Sequence, residues 1–149
     1  MNTFSLEEKT VLITGGLGGY GLAICELILK RKGRVLLADI KAISEAEALL
    51  ANQFKDAFEA KSVMYTKCDV TSEADIEAAF VKAQKDLVVG DGHVDILINN
   101  AGIVGEDQWQ RIYDINVVSV VILYILKAIS KFKCWREIAY YCLFYFSHF

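Results

Sequence analysis

Short apolar runs alternate with longer amphipathic stretches over the first hundred residues. The apolar runs are rich in Val, Ile and Leu, which is typical of strands that are covered on both faces of a sheet. They occupy residues 10–14, 34–39, 62–67 and 95–98. The intervening stretches carry apolar residues at helical spacing and predict three helices, which begin at Tyr20, after Ser44 and at Thr71-Ser72-Glu73. This β-α-β-α-β-α-β order predicts an α/β fold with a doubly wound parallel sheet.

Several polar and glycine residues mark the expected ends of these elements. Gly33 follows the basic end of the first helix and is expected to cap it. Ser44 with Glu47 forms a candidate capping box for the second helix. Asp95, just before the fourth strand, is interpreted as a structural cap.

The last third of the chain has a different pattern. Residues 108–131 contain many β-branched residues, but the stretch is too long for a strand, and we interpret it as one buried helix. Six aromatic residues fall within the last ten positions, and no glycine follows Gly105. We therefore divide the chain into residues 1–131 and an aromatic-rich tail at 132–149.

A glycine-rich loop, Thr14-Gly15-Gly16-Leu17-Gly18-Gly19-Tyr20-Gly21, lies between the first predicted strand and helix. Glycines there let the backbone approach a pyrophosphate, which the helix N-terminus stabilises. An ordinary turn between a strand and a helix is the alternative. Asp39 favours the dinucleotide site, because a carboxylate at the end of the second strand can bind the adenosine ribose hydroxyls.

Four motifs in this order resemble the short-chain dehydrogenase/reductase family, and the resemblance spans about residues 8–131. They are Thr-Gly-x-x-x-Gly-x-Gly from Thr14 to Gly21, Cys68-Asp69-Val70, Asn99-Asn100-Ala101-Gly102, and Asn116 on the following helix. The stretch from Asn99 to Val120 is most similar to the 15-hydroxyprostaglandin dehydrogenase branch of that family.

The resemblance implies a Rossmann-type fold, truncated after the fourth strand and the following helix, and a role for each matching residue. The implied cofactor-binding residues are Gly15, Leu17, Gly18, Gly19, Tyr20, Gly21, Asp39, Ile40, Cys68, Asp69, Val70 and Asn100, and the implied catalytic residue is Asn116. NAD is the expected cofactor, because Asp39 would repel the 2′-phosphate of NADP and neighbouring Ile40 offers no cation.

The catalytic half of the family pattern is missing. Members use a tyrosine base with a lysine four residues later and an upstream serine. The chain has seven tyrosines, and none is followed by lysine at that spacing; Ser147 lies near the family serine's place without its motif.

Two functions remain open at this point. One is an NAD-dependent oxidoreductase acting on a small secondary alcohol or ketone, with a hydroxylated lipid as a candidate, and inactive in this chain. The other is a non-catalytic dinucleotide-binding fragment that associates with full-length dehydrogenase subunits, or with its own copies, through the helix at 108–131.

Composition narrows the partners. The net charge of −3 provides no basic surface for nucleic acid. The longest apolar run, 120–126, is far shorter than a membrane span, and the first residues do not form a secretory signal. Four cysteines match no metal-binding pattern, which favours free thiols and a cytoplasmic location.

The predicted fourth strand raises a question of stability. Because the family pattern ends soon after it, Ile96 to Ile98 is expected to form an exposed sheet edge. The apolar segment 140–146 is a candidate substitute strand or an aggregation-prone window.

Overall fold

The computed structural model describes residues 5–89, 93–105, 107–122 and 137–140, and its described part is built around one parallel sheet. The strands are β1 (Thr10–Thr14), β2 (Arg34–Asp39), β3 (Val63–Lys67), β4 (Ile96–Asn99) and β5 (Glu137–Tyr140). The helices are α1 (Gly19–Lys30), α2 (Ile43–Gln53), α3 (Lys55–Glu59), α4 (Glu73–Asp86) and α5, which starts as Trp109–Tyr113 and continues through a π-helical turn at Asp114–Val118. None of the helices within these residues is long and apolar enough to cross a membrane.

The strand order is β3-β2-β1-β4-β5, with every neighbouring pair parallel. The chain steps from β1 to β2 to β3 in one direction and then returns to the other side of β1 for β4. The connections after β1 and after β4 therefore diverge, which opens a crevice at the carboxyl edge of the sheet. The predicted doubly wound parallel sheet is confirmed.

Successive residues of each central strand pack into different hydrophobic clusters. In β1, Val11 and Ile13 belong to a cluster that includes buried residues of α1 and α2, while Leu12 belongs to a second cluster with Ile76 and Phe80 of α4. All three β1 residues are at most 1% exposed. Burial on both faces explains why the strands are apolar almost without interruption.

Some predicted element ends are confirmed and others are wrong. Asp95 is structural, since its carboxylate pairs with Lys9 Nζ at 2.7 Å and accepts the Thr10 N–H at 2.9 Å. The capping box at Ser44 is wrong, because α2 begins one residue earlier and Ala42 precedes it without a side-chain cap.

The end of α1 also differs from the prediction. Lys32, with φ of 59°, takes the left-handed conformation expected of Gly33. Gly33 is required for space instead, because a Cβ there would lie 2.5 Å from the Ile28 side chain.

The prediction that β4 forms an exposed edge is wrong. Residues 137–140 form β5, and β5 pairs with the full length of β4, from Ile96 opposite Glu137 to Asn99 opposite Tyr140. The backbone groups of β4 thus have a partner on each side, β1 and β5. The predicted continuation of the helix from residue 123 to 131 lies outside the described residues, as does the candidate strand at 140–146 apart from Tyr140, which ends β5.

Candidate functional site

The crevice at the carboxyl edge contains a cleft of about 420 Å³. Four loops meet there, one after each of the strands β1 to β4. The lining residues are Gly15, Gly18, Gly19, Tyr20, Asp39, Ile40, Cys68, Asp69, Val70, Asn100, Ala101, Gly102, Ile103, Val104, Arg111 and Ile115. Three residues predicted from the sequence, Leu17, Gly21 and Asn116, are not in the lining.

Two of the loop glycines are required by the fold of the loop itself. Gly15 has φ of 60°, and a Cβ there would lie 2.7 Å from the Cα of Ala101. Gly21 is buried in the first turn of α1, where a Cβ would lie 2.6 Å from the Gly16 carbonyl oxygen. Gly21 therefore supports the loop from beneath, and Leu17, only 5% exposed, anchors it in the core.

The opposite side of the loop is open. Gly18 and Gly19 are exposed, and a Cβ at Gly19 would meet no atom within 4 Å. The first turn of α1 has no acidic residue and no side-chain cap. N–H groups at a helix start have no acceptor within the helix and carry partial positive charge. This cradle fits the pyrophosphate of the dinucleotide that the resemblance implies.

Asp39 links this loop to the end of β2. Its Oδ2 accepts the Leu17 N–H at 3.0 Å. Within the described part of the chain, its Oδ1 has no hydrogen-bond partner. One carboxylate oxygen is thus used to place the loop, and the other is available to accept a ribose hydroxyl.

The far end of the cleft combines apolar walls with one fixed carboxylate. Ile40 is 57% exposed, although it is a large apolar side chain, and it lines the cleft with buried Cys68 and Val70. Burial, with a smaller contribution from nearby Asp75, raises the pKa of the Cys68 thiol to about 12, so this wall is neutral. These surfaces fit an adenine ring.

Asp69 supplies the carboxylate. Its Oδ1 accepts hydrogen bonds from the Thr71 N–H at 2.9 Å and the Thr71 hydroxyl at 2.7 Å. These hydrogen bonds lower its pKa, with a smaller contribution from the Arg111 guanidinium. The side chain is therefore a fixed anionic acceptor at physiological pH.

Asn100 is oriented by the end of β1. Its Nδ2 donates to the carbonyl oxygens of Thr14, at 3.1 Å, and Gly15, at 2.8 Å. The Thr14 hydroxyl oxygen lies 3.2 Å from the backbone N–H groups of Asn100 and Ala101 and accepts from them. Both amide hydrogens of Asn100 are used, so its Oδ1 is left to accept from a bound group.

Asn116 connects α5 to the loop after β4. Its Oδ1 accepts the Ile103 N–H and its Nδ2 donates to the Ile103 carbonyl oxygen, both at 2.9 Å. It lies in the π-helical turn, a feature that is frequent at functional sites. The structure gives Asn116 a tethering contact, and its catalytic role stays a prediction.

Sequence reasoning missed the contribution of α5 and the loop before it. Arg111 and Ile115 are one helical turn apart and both line the cleft, with Ile103 and Val104 from the preceding loop. The four-residue spacing of Arg111 and Ile115 was the available signal, because it places them on one helix face.

The comparisons with known proteins agree with this geometry. The family model described as short chain dehydrogenase matches residues 9–131. Human 15-hydroxyprostaglandin dehydrogenase [NAD(+)] is 34% identical over 118 residues, which cover 78% of this chain and 41% of that protein. The uncharacterized oxidoreductase YuxG of Bacillus subtilis (strain 168) is 37% identical over 97 residues, or 65% of this chain and 13% of that protein.

Among solved structures, the 3-ketoacyl-(acyl-carrier-protein) reductase of Brucella melitensis complexed with NADH matches with a TM-score of 0.67 and 29% identity. The match covers 84% of this chain and 50% of that one. The chain thus spans half or less of the length of these relatives. The family model, the sequence relatives and the architecture agree, and the chain belongs to the short-chain dehydrogenase family.

Proposed function

We propose that this chain binds NAD in the cleft and is the cofactor-binding part of an oxidoreductase that acts on a secondary alcohol. The observation that carries the proposal is the arrangement of Asp39. Its Oδ1 is available beside a glycine loop whose open side faces the same cleft. A ribose hydroxyl would donate to the Asp39 Oδ1, and an adjacent pyrophosphate would accept from the N–H groups at the start of α1.

Charge favours NAD over NADP in this proposal. The charged residues in the cleft lining are Asp39, Asp69 and Arg111. A 2′-phosphate on the adenosine ribose would lie against the Asp39 carboxylate. Arg111 acts on Asp69, which the proposal places at the adenine, so it offers no compensation at the ribose. The human relative is itself named for NAD(+).

The substrate class follows from the relatives. NAD, when bound, supplies a nicotinamide ring that accepts hydride from an alcohol carbon. The human relative is named for 15-hydroxyprostaglandin, which is a hydroxylated lipid. We extend this substrate class to the present protein. We expect a cytoplasmic location, because buried Cys25 and Cys68 are free thiols.

Titration with NADH tests the binding claim. Nicotinamide fluorescence should rise and saturate as the 149-residue chain is added. Hydrogen exchange should slow at residues 15–21, 39–41 and 68–70 when NADH is bound, and it should not change at 82–86, the C-terminal end of α4. Absence of saturable binding at millimolar NADH would overturn the proposal.

An association role is the second candidate, and the start of α5 favours it. Trp109 is 70% exposed and Tyr113 is 54% exposed, and they lie one turn apart. Aromatic side chains exposed together are typical of protein contact surfaces. Sedimentation velocity should show self-association that Trp109→Ser weakens and Leu27→Ser, an equivalent change on α1, does not. A monomer at all concentrations, also in the presence of a full-length family member, would contradict this role.

A further inference from the structure

Tyr65 is a buried residue on β3 whose hydroxyl reaches the segment that follows β2. The side chain is 7% exposed and lies outside the cleft lining. Its hydroxyl oxygen is 2.7 Å from the Asp39 carbonyl oxygen and 2.6 Å from the Lys41 carbonyl oxygen. A phenol has one hydrogen, which it donates to either carbonyl or shares between them. Residues 39–41 are therefore held together by one side chain from the neighbouring strand.

Apart from the Tyr65 hydroxyl, the segment 39–41 is attached to the sheet mainly at Asp39. The Asp39 carbonyl also accepts the Cys68 N–H at 2.8 Å, which continues the pairing of β2 with β3. Ile40 and Lys41 are exposed, and α2 starts two residues after Lys41 without a side-chain cap. The Lys41 ammonium pairs with Glu45, which lies within α2. The Tyr65 hydroxyl is thus the contact that joins the Lys41 backbone to the sheet.

The hydroxyl remains a donor over the physiological range. The pKa of Tyr65 is raised to about 12, mainly because the side chain is buried and to a smaller extent because of the charge of Asp39. The phenol stays protonated, and the contact does not change with pH near neutrality.

We propose that Tyr65 is a positioning residue for cofactor discrimination, since its hydroxyl fixes residues 39–41 so that Asp39 meets the adenosine ribose. The inference rests on the proposed binding of NAD in the cleft. Tyr65 acts through two neighbours that line the cleft: the Asp39 carboxylate faces the position of a 2′-phosphate, and Ile40 forms the apolar wall beside it. A looser segment would let the Asp39 carboxylate move away from the adenosine ribose, whether NAD or NADP is bound.

Tyr65→Phe tests the inference, because it removes the hydroxyl and keeps the ring in the core. The dissociation constant for NADH should rise about three- to tenfold, the range that one hydrogen bond contributes. The constant for NADPH should rise less or fall, so the ratio of the two constants should narrow. Thr66→Val is the matched control, since it removes a hydroxyl from the next residue of β3, which does not line the cleft, and it should leave both constants unchanged.

Limited trypsin digestion gives a second readout that needs no cofactor. Trypsin cleaves after lysine, and cleavage after Lys41 should be faster in Tyr65→Phe than in the wild-type chain or in Thr66→Val. If the wild-type chain fails to bind NADH, the proposed function fails, while the digestion still decides whether Tyr65 holds the segment.

Two results would overturn the inference alone. One is that the ratio of the NADH and NADPH dissociation constants and the rate of cleavage after Lys41 are the same in Tyr65→Phe as in the wild-type chain. The other is a Tyr65→Phe chain that no longer unfolds cooperatively, which would make the hydroxyl a requirement of the whole fold rather than of the cofactor segment.

Discussion

At the scale of single residues, the glycines of the first loop differ in what they do. Gly15 and Gly21 are fixed by contacts inside the protein, where any Cβ would collide with backbone atoms. Gly19 has no such constraint, and its surroundings are empty to 4 Å. The described fold therefore does not require a glycine at this position, which is compatible with the proposed binding of a pyrophosphate beside it.

Gly19→Ala separates binding from folding. A methyl group there would occupy space that the pyrophosphate needs, so the dissociation constant for NADH should rise about tenfold or more. The melting temperature should stay the same or rise slightly, because alanine favours a helix start over glycine. Gly105→Ala is the control, since Gly105 also has open surroundings and does not line the cleft. Unchanged NADH affinity in Gly19→Ala would contradict the placement of the phosphates.

The site residues that the sequence predicts are those tied to strand ends. Asp39 and Asn100 follow from the rule that the carboxyl ends of parallel strands meet at one edge. The contact between Asn116 and Ile103 could not be predicted, because it depends on how the loop after β4 folds back onto α5. Arg111 was missed for a related reason. Helical spacing shows which residues share a helix face, but it does not show which part of the protein that face contacts.

At the scale of elements, strand positions were better predicted than helix ends. The predicted bounds of β1 and β2 are the observed ones, since buried parallel strands are continuous apolar runs that end in glycine or charge. The apolar spacing from Ala46 to Ala57 predicts one continuous helix, but Phe54, with φ of −128°, separates α2 from α3. The apolar spacing continues through that break, so the pattern contained no sign of it.

Two serines near helix starts provide a matched test of capping. Ser72 caps α4, and its hydroxyl accepts the Asp75 N–H at 3.3 Å. Ser72→Ala should therefore lower the free energy of unfolding by about 1 kcal/mol. Ser44→Ala, inside the first turn of α2, should change it by less than about 0.5 kcal/mol.

Urea unfolding followed by far-UV circular dichroism measures both changes. Equal losses for the two variants would show that the Ser72 hydroxyl does not act as a cap in solution.

At the scale of the whole molecule, the topology brings distant parts of the sequence into one cleft. Asn100 hydrogen-bonds to Thr14 across 86 positions of sequence. The two residues are close because β4 lies next to β1 in the sheet. The alternation of apolar strands and amphipathic helices in the sequence predicts this doubly wound topology. The place of β5 was not predicted, because residues 132–149 show no alternation that would favour pairing of 137–140 with β4.

Turnover by the 149-residue chain should be undetectable. General acid–base catalysis contributes about 10² to 10⁴-fold to rate, and none of the tyrosines of the sequence has a lysine four positions later. NADH formation at 340 nm with a panel of secondary alcohols measures this, with a full-length family dehydrogenase as the positive control. Alcohol-dependent turnover that Asn116→Ala abolishes would show that another group acts as the base.

The central claim is that Asp39 makes this cleft an NAD site, and isothermal titration with NADH and NADPH tests it most directly. The wild-type chain should bind NADH at least about tenfold more tightly, a difference of about 1.4 kcal/mol. Asp39→Asn keeps an oxygen for the Leu17 N–H and removes the charge, so the difference should shrink, whereas Asp56→Asn, at an exposed position of α3, should preserve it. Equal affinity of the wild-type chain for the two cofactors, or an unchanged ratio in Asp39→Asn, would contradict the account.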